Sequence, residues 1–136
     1  MEEVKRIERG WAGHFICSRD CNFRRNTLLE YKNKKWIIST VGCMIARTTI
    51  EPYQKAGDLI TIGENRWYET MAFESSYDEY DDADVSKEIA FNSEWGIWGE
   101  TWEEVMEKYN QHPDLAANEM HEKVVEELME KIKNEI

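Results

Sequence analysis

The sequence predicts one α+β domain over residues 1–136, an antiparallel sheet of about five strands, rich in hairpins, packed with a short helix and a long C-terminal amphipathic helix. Three observations predict it. Two β-prone runs flank a short polar turn at residues 27–41, a capping box opens at Thr101, and an apolar stripe at helical spacing runs from Ala117 to Ile132.

The elements follow in order. Trp11 to Cys17 mixes apolar residues with glycine and reads as a first strand. Thr27–Tyr31 and Trp36–Val41 surround Lys32-Asn33-Lys34-Lys35, which is the pattern of a hairpin. A second hairpin is expected from Leu59–Ile62 and Trp67–Phe73, because Gly63 and Asn65 between them tolerate positive φ. Glu88–Asn92 reads as a further strand, and Ser75–Asp84, crowded with carboxylates that repel one another, as an exposed loop. In Thr101-Trp102-Glu103-Glu104 the Thr101 hydroxyl can take the amide of Glu104 while the Glu104 carboxylate reaches back. Trp102, Val105, Met106 and Tyr109 then recur at helical spacing.

Pro113 suits the first turn of the last helix, in which Ala117, Met120, His121, Val124, Leu128 and Ile132 share one face. Val125, Met129 and Ile136 widen that stripe beyond the needs of one small sheet, which admits a homodimer as an alternative to a monomer. Pro52 and Pro113 both fall outside the predicted strands.

Composition bounds the function. A hydrophobic content of 41% and an aromatic content of 12% provide enough apolar surface for a core. No run approaches the roughly 20 apolar residues of a membrane span, and Met1–Arg6 lacks the apolar centre of a secretion signal, so the expected location is cytoplasmic. Three cysteines, Cys17, Cys21 and Cys43, suit a reducing compartment as free thiols. The net charge of −11 is split: residues 1–57 carry 11 Lys+Arg against 6 Asp+Glu, and residues 58–136 carry 6 against 22. The global acidity argues against nonspecific binding to duplex DNA.

The densest polar cluster runs from His14 to Thr27. His14, Arg19, Arg24, Arg25 and Asn26, among Phe15 and Phe23, form the candidate ligand-binding set, because guanidinium groups bind phosphate bidentately and aromatic rings stack on a base. The same arginines can instead pair with the carboxylates of the C-terminal half. His14, Cys17 and Cys21 are spaced so that a loop could close them around zinc with Cys43 or His121. Paired CxxC knuckles are absent, however, and the expectation is buried thiols with no metal and no cofactor. His121 lacks a second histidine four residues on, where Val125 stands, and is expected at the helix–sheet boundary with its hydrogen bonds satisfied.

Asp78, Glu79, Asp81, Asp82 and Asp84 form an acidic contact surface. Asp82, Asp84 and Ser86 alternate like the opening of a calcium loop, but the turn glycine and the twelfth-position glutamate are missing. No nucleophile elbow and no Gly-rich phosphate loop is present, so no catalytic residue is assigned.

Gly10–Cys17, Phe23–Tyr31, Ser39–Gly42, Tyr68–Phe73, Asp82–Ile89 and Ala117–Glu122 together carry a resemblance to small uncharacterised proteins of bacteriophages and bacterial mobile elements. The resemblance implies a setting and no catalytic residue. The expected function is a non-enzymatic binding protein that interferes with a host defence pathway, its partner a host protein or a small nucleotide ligand. The alternatives are a small enzyme acting on a nucleotide or phosphoester, with His14 or His121 as acid–base, and a structural phage protein.

Overall fold

A computed structural model describes residues 3–10, 21–45, 59–62, 65–75, 83–90 and 95–135. Its main sheet is antiparallel, with strands β1 (Lys5–Gly10), β2 (Arg24–Tyr31), β3 (Lys34–Val41), β6 (Arg66–Ser75) and β7 (Ala83–Ala90) side by side in that order. β8 (Gly96–Trp98) shares the outer edge of β6 with β7. Two short strands, β4 (Met44–Ile45) and β5 (Leu59–Ile60), pair separately. Helices α1 (Trp102–Lys108) and α2 (Pro113–Glu135) follow. The architecture is the α+β fold that the sequence predicts.

The first hairpin forms as expected, β2 on β3, and closes through Lys32 and Asn33 at φ 49° and 67°. Two successive left-handed residues match the twist of the strands they join, and Asn adopts that conformation at low cost. Thr101 caps α1 by accepting the Glu104 amide at 3.1 Å, while the Glu104 carboxylate takes the amide of Glu100 at 3.1 Å. α1 ends in a Schellman turn: the Gln111 amide reaches the Met106 carbonyl and the Asn110 amide that of Glu107, with Asn110 at φ 54°.

Packing explains the length of α2. Val124, Val125, Leu128 and Ile132 lie on Leu29, Tyr31, Trp36, Ile38 and Ala72, side chains that the antiparallel register brings to one face of the sheet. Each such burial contributes about 1.5–3 kcal/mol. Val125, one of the residues that widen the apolar stripe, is fully buried within this one chain. A second cluster, of Cys43, Trp67, Tyr68, Ile97, Val105 and Ala117, joins α1 and the start of α2 to the end of the sheet. Gly42 makes this packing fit, since a Cβ there would stand 2.7 Å from that of Phe23, whose ring meets Tyr68 edge-on.

The structure corrects four elements. Leu59–Ile62 does not form a hairpin ladder with Trp67–Phe73: β5 pairs with β4, because β3 holds one edge of β6 while β7 and β8 divide the other, and an Ile62 amide to Arg66 carbonyl bond of 3.0 Å spans the expected turn. Of the stretch expected as an exposed loop, Ser75 ends β6 buried, Ala83 and Asp84 belong to β7, and residues 76–82 lie outside the described residues. Pairing with β6 overrides the local charge repulsion there. Arg24, Arg25 and Asn26 extend β2 ahead of the strand expected from Thr27, held by pairing with Val41, Thr40 and Ser39. β1 is an unexpected strand: Lys5-Arg6-Ile7-Glu8-Arg9-Gly10 holds one bulky apolar residue, as a charged edge strand does. The strand expected at Trp11–Cys17 lies outside the described residues. Among those residues, no helix is long and apolar enough to cross a membrane.

Candidate functional site

The register of the sheet places a polar row under the first half of α2. Glu8 stands opposite Thr27, Arg25 opposite Thr40, and Thr40 opposite Thr70, so four strands present these side chains to one patch of the helix. His121 descends into that patch and is 0% exposed. Its Nε2 lies 2.7 Å from the Thr27 hydroxyl and its Nδ1 2.7 Å from that of Thr40. The Thr40 hydroxyl lies 2.6 Å from that of Thr70, and Thr27 donates to the Glu8 carboxylate at 2.9 Å.

Donor and acceptor counting assigns the protons. Thr27 gives its single hydrogen to Glu8, so it accepts from Nε2–H of His121. Burial, followed by the charge of Arg25, pushes the imidazole down to about 4, so at neutral pH it is uncharged and Nδ1 is an acceptor. Thr40 therefore donates to Nδ1 and accepts from Thr70. Every hydroxyl and both ring nitrogens have a partner, which is the condition for burying them.

Two arginines close the rim. Arg25 donates through Nε to Glu8 at 2.8 Å and pairs through Nη2 with Glu122; Arg6 holds Glu122 from its other side at 2.8 and 2.5 Å. The hydrogen bond from Arg6, reinforced by Arg25, brings the Glu122 carboxyl down to about 2 against a smaller opposing effect of burial. Burial pushes the Glu8 carboxyl up, but bonds from Arg25 and Thr27 outweigh it and leave its pKa lowered. Glu8 and Glu122 remain partly exposed, so solvent screening limits each pair to about 1 kcal/mol.

Thr40, His121, Thr27 and Glu8 thus follow the order of a hydroxyl, an imidazole and an acid in a nucleophilic relay. Access defeats that use. Thr40 and His121 are both 0% exposed, and a nucleophile must touch the atom it attacks.

A second polar group sits at the other end of α2. Tyr68 donates its hydroxyl to Asp114 at 2.6 Å; burial and this bond raise the phenol's pKa, so it stays protonated. Burial, with the charge of Asp114, pushes the Cys43 thiol up to about 12. Cys21 and Cys43 are free buried cysteines, as the sequence predicts. Alkylation of the native protein at pH 8 is expected to leave Cys43 unmodified, and alkylation in denaturant to modify it fully, with peptide mass spectrometry as the readout; rapid native labelling of Cys43 would show an accessible thiolate.

Of the candidate ligand set, Arg24, Arg25 and Asn26 are consecutive on β2 and alternate between its faces. Arg25 points to α2, and its Nη1 comes within 3.5 Å of Asn118. Asn26 faces the opposite side, where it accepts from Arg9 at 3.0 Å, and strand alternation puts Arg24 on that side too. The sheet therefore divides the set. His14, Arg19 and the acidic residues Asp78, Glu79, Asp81 and Asp82 lie outside the described residues, and Asp84 stands in β7.

Sequence reasoning missed the role of Thr27, Thr40, Thr70 and Glu8. Three threonines in strands read as ordinary β-formers, and only the register shows that they converge on one histidine. Residues 100–135 hold a further group, the acidic outer layer of the helices, with Glu103, Glu104 and Glu107 exposed on α1 and Glu119, Glu126, Glu127 and Glu130 exposed on α2. That segment carries 11 carboxylates against 4 lysines. In comparisons with known protein families, curated proteins and solved structures, nothing matches the chain.

Proposed function

We propose that this chain is a non-enzymatic binding protein whose acidic helical layer engages a basic host protein, in the setting of phage or mobile-element interference with a host defence pathway. The observation that supports it most is the division of labour between interior and surface. Groups with catalytic potential, His121, Thr40 and Cys43, are fully buried, whereas the outer faces of α1 and α2 present carboxylates to solvent. A field of one sign accelerates encounter with a partner of the other.

The geometry favours this over nucleotide sequestration. A nucleotide site built on the arginine cluster would need Arg25 beside Arg24 and Asn26, but Arg25 faces α2 and is bound by Glu8 and Glu122.

Capture from bacterial lysate on the immobilised protein tests it. The wild type should retain a basic protein that salt releases, and the variant Glu126→Lys, Glu127→Lys, Glu130→Lys should lose it by about tenfold or more, three charge reversals each acting by roughly 0.5–1 kcal/mol. Retention unchanged by the reversal would contradict the acidic layer as the contact.

A further inference from the structure

We infer that the cleft at the corner between α1 and α2 receives an arginine side chain of the basic partner, with Asp114 as its counter-ion and Trp102 as its stacking wall. This rests on the binding function proposed above and names the chemistry of one contact within it.

The cleft encloses about 360 Å³ and is lined by Asn22, Trp102, Met106, Gln111, His112, Pro113, Asp114 and Leu115. Its walls divide by chemistry. Trp102, Met106, Pro113 and Leu115 are apolar, and Leu115 is 59% exposed, a large side chain standing free at the rim. Among the polar lining groups, Asp114 supplies a carboxylate, Asn22 and Gln111 side-chain amides, and His112 an imidazole. Neither lysine nor arginine is among the described residues that line it.

The two principal groups are held in place before any ligand arrives. The Tyr68 hydroxyl fixes one Asp114 oxygen at 2.6 Å, and the pKa of that phenol is raised, so it remains a donor. Trp102 is stacked at 28° on the Tyr68 ring, 6.4 Å between centroids, and packs on Trp67 at 5.4 Å. The Schellman turn, with Asn110 and Gln111 both at positive φ, sets the gap between the helices. A carboxylate oxygen has two lone pairs, so Asp114 can accept from Tyr68 and still receive a guanidinium through both oxygens.

A flat, weakly hydrated cation that stacks on indole while bonding a carboxylate is a guanidinium rather than an ammonium. The aliphatic stem of arginine would lie along Met106 and Leu115. The net acidity of residues 100–135 matches that charge.

Two-dimensional ¹H–¹⁵N NMR with blocked amino acids as probes tests this on the whole chain. N-acetyl-arginine amide should shift the Trp102 indole N–H and the Asp114 amide saturably, with a dissociation constant on the order of 1 mM. The uncharged isostere N-acetyl-citrulline amide should bind at least about tenfold more weakly, since it lacks the charge-assisted bond. Asp114→Asn, which keeps an oxygen for Tyr68, should weaken arginine by a similar factor. The citrulline comparison uses wild-type protein and does not depend on how the variant folds.

Absence of a saturable shift at Trp102, equal binding of citrulline, or N-acetyl-lysine amide binding as tightly as arginine would each overturn the assignment. The outcomes separate the two proposals. Loss of lysate capture on charge reversal with no arginine response would reject the cleft alone; an arginine response with capture indifferent to reversal would reject the acidic layer.

Discussion

His121→Ala is expected to lower the stability of the protein by about 3 kcal/mol, through the space left by the imidazole and the loss of two buried hydrogen bonds. The cost stops short of the largest known for buried polar groups because each threonine keeps one partner. Thr27 still donates to Glu8, and Thr40 still accepts from Thr70 although its own hydrogen loses its acceptor. Urea unfolding monitored by circular dichroism measures the loss at pH 7.5. A change below about 0.5 kcal/mol, the range of an ordinary surface substitution, would mean that the network contributes little to the fold.

Acidification should remove a similar amount through the same residue. The His121 imidazole lies at about 4 in the folded chain against 6.5 as its ordinary value. Between those limits the unfolded chain binds a proton that the folded chain refuses, so stability is fully present above pH 6.5 and declines as the pH falls towards 4, by about 3 kcal/mol in all. Glu122 acts in a lower window, from 4.5 towards 2, and its partial exposure makes its share smaller. The two contributions therefore separate on the pH axis. In His121→Ala the slope between pH 6.5 and 4.5 should disappear while the lower one remains; an unchanged slope would place its origin elsewhere.

Local signals account for what the sequence discloses of this fold. The β2–β3 hairpin, the capped α1 and the face of α2 each depend on residues near in sequence: Asn33 in its turn, Thr101 with Glu104, and a 3.6-residue period. β1 escapes because an edge strand made mostly of charged residues has no hydrophobic pattern to read. The partner of β5 escapes because the competition for the edges of β6 involves strands that follow it in the chain. His121 is legible as a residue at the boundary between helix and sheet. Its actual partners are not, since Thr27 and Thr40 are 94 and 81 residues away and meet it only through register.

The arginine cluster shows the limit more sharply. Arg24, Arg25 and Asn26 look like one binding group on the page, and strand alternation sends Arg25 to the opposite face from its neighbours. Conversely, Tyr68 and Asp114 are 46 residues apart, and nothing local marks Asp114 as more than a favourable charge in the first turn of α2.

The protonation state of His121 tests most directly the claim that the interior is architectural and that function lies on the acidic surface. Long-range ¹H–¹⁵N correlation spectra of the imidazole, recorded from pH 7.5 to pH 3.5, should show a neutral ring protonated on Nε2 that titrates near 4. A ring protonated on Nδ1, or a midpoint at or above the ordinary 6.5, would contradict the sealed network and make His121 a group open to acid–base chemistry.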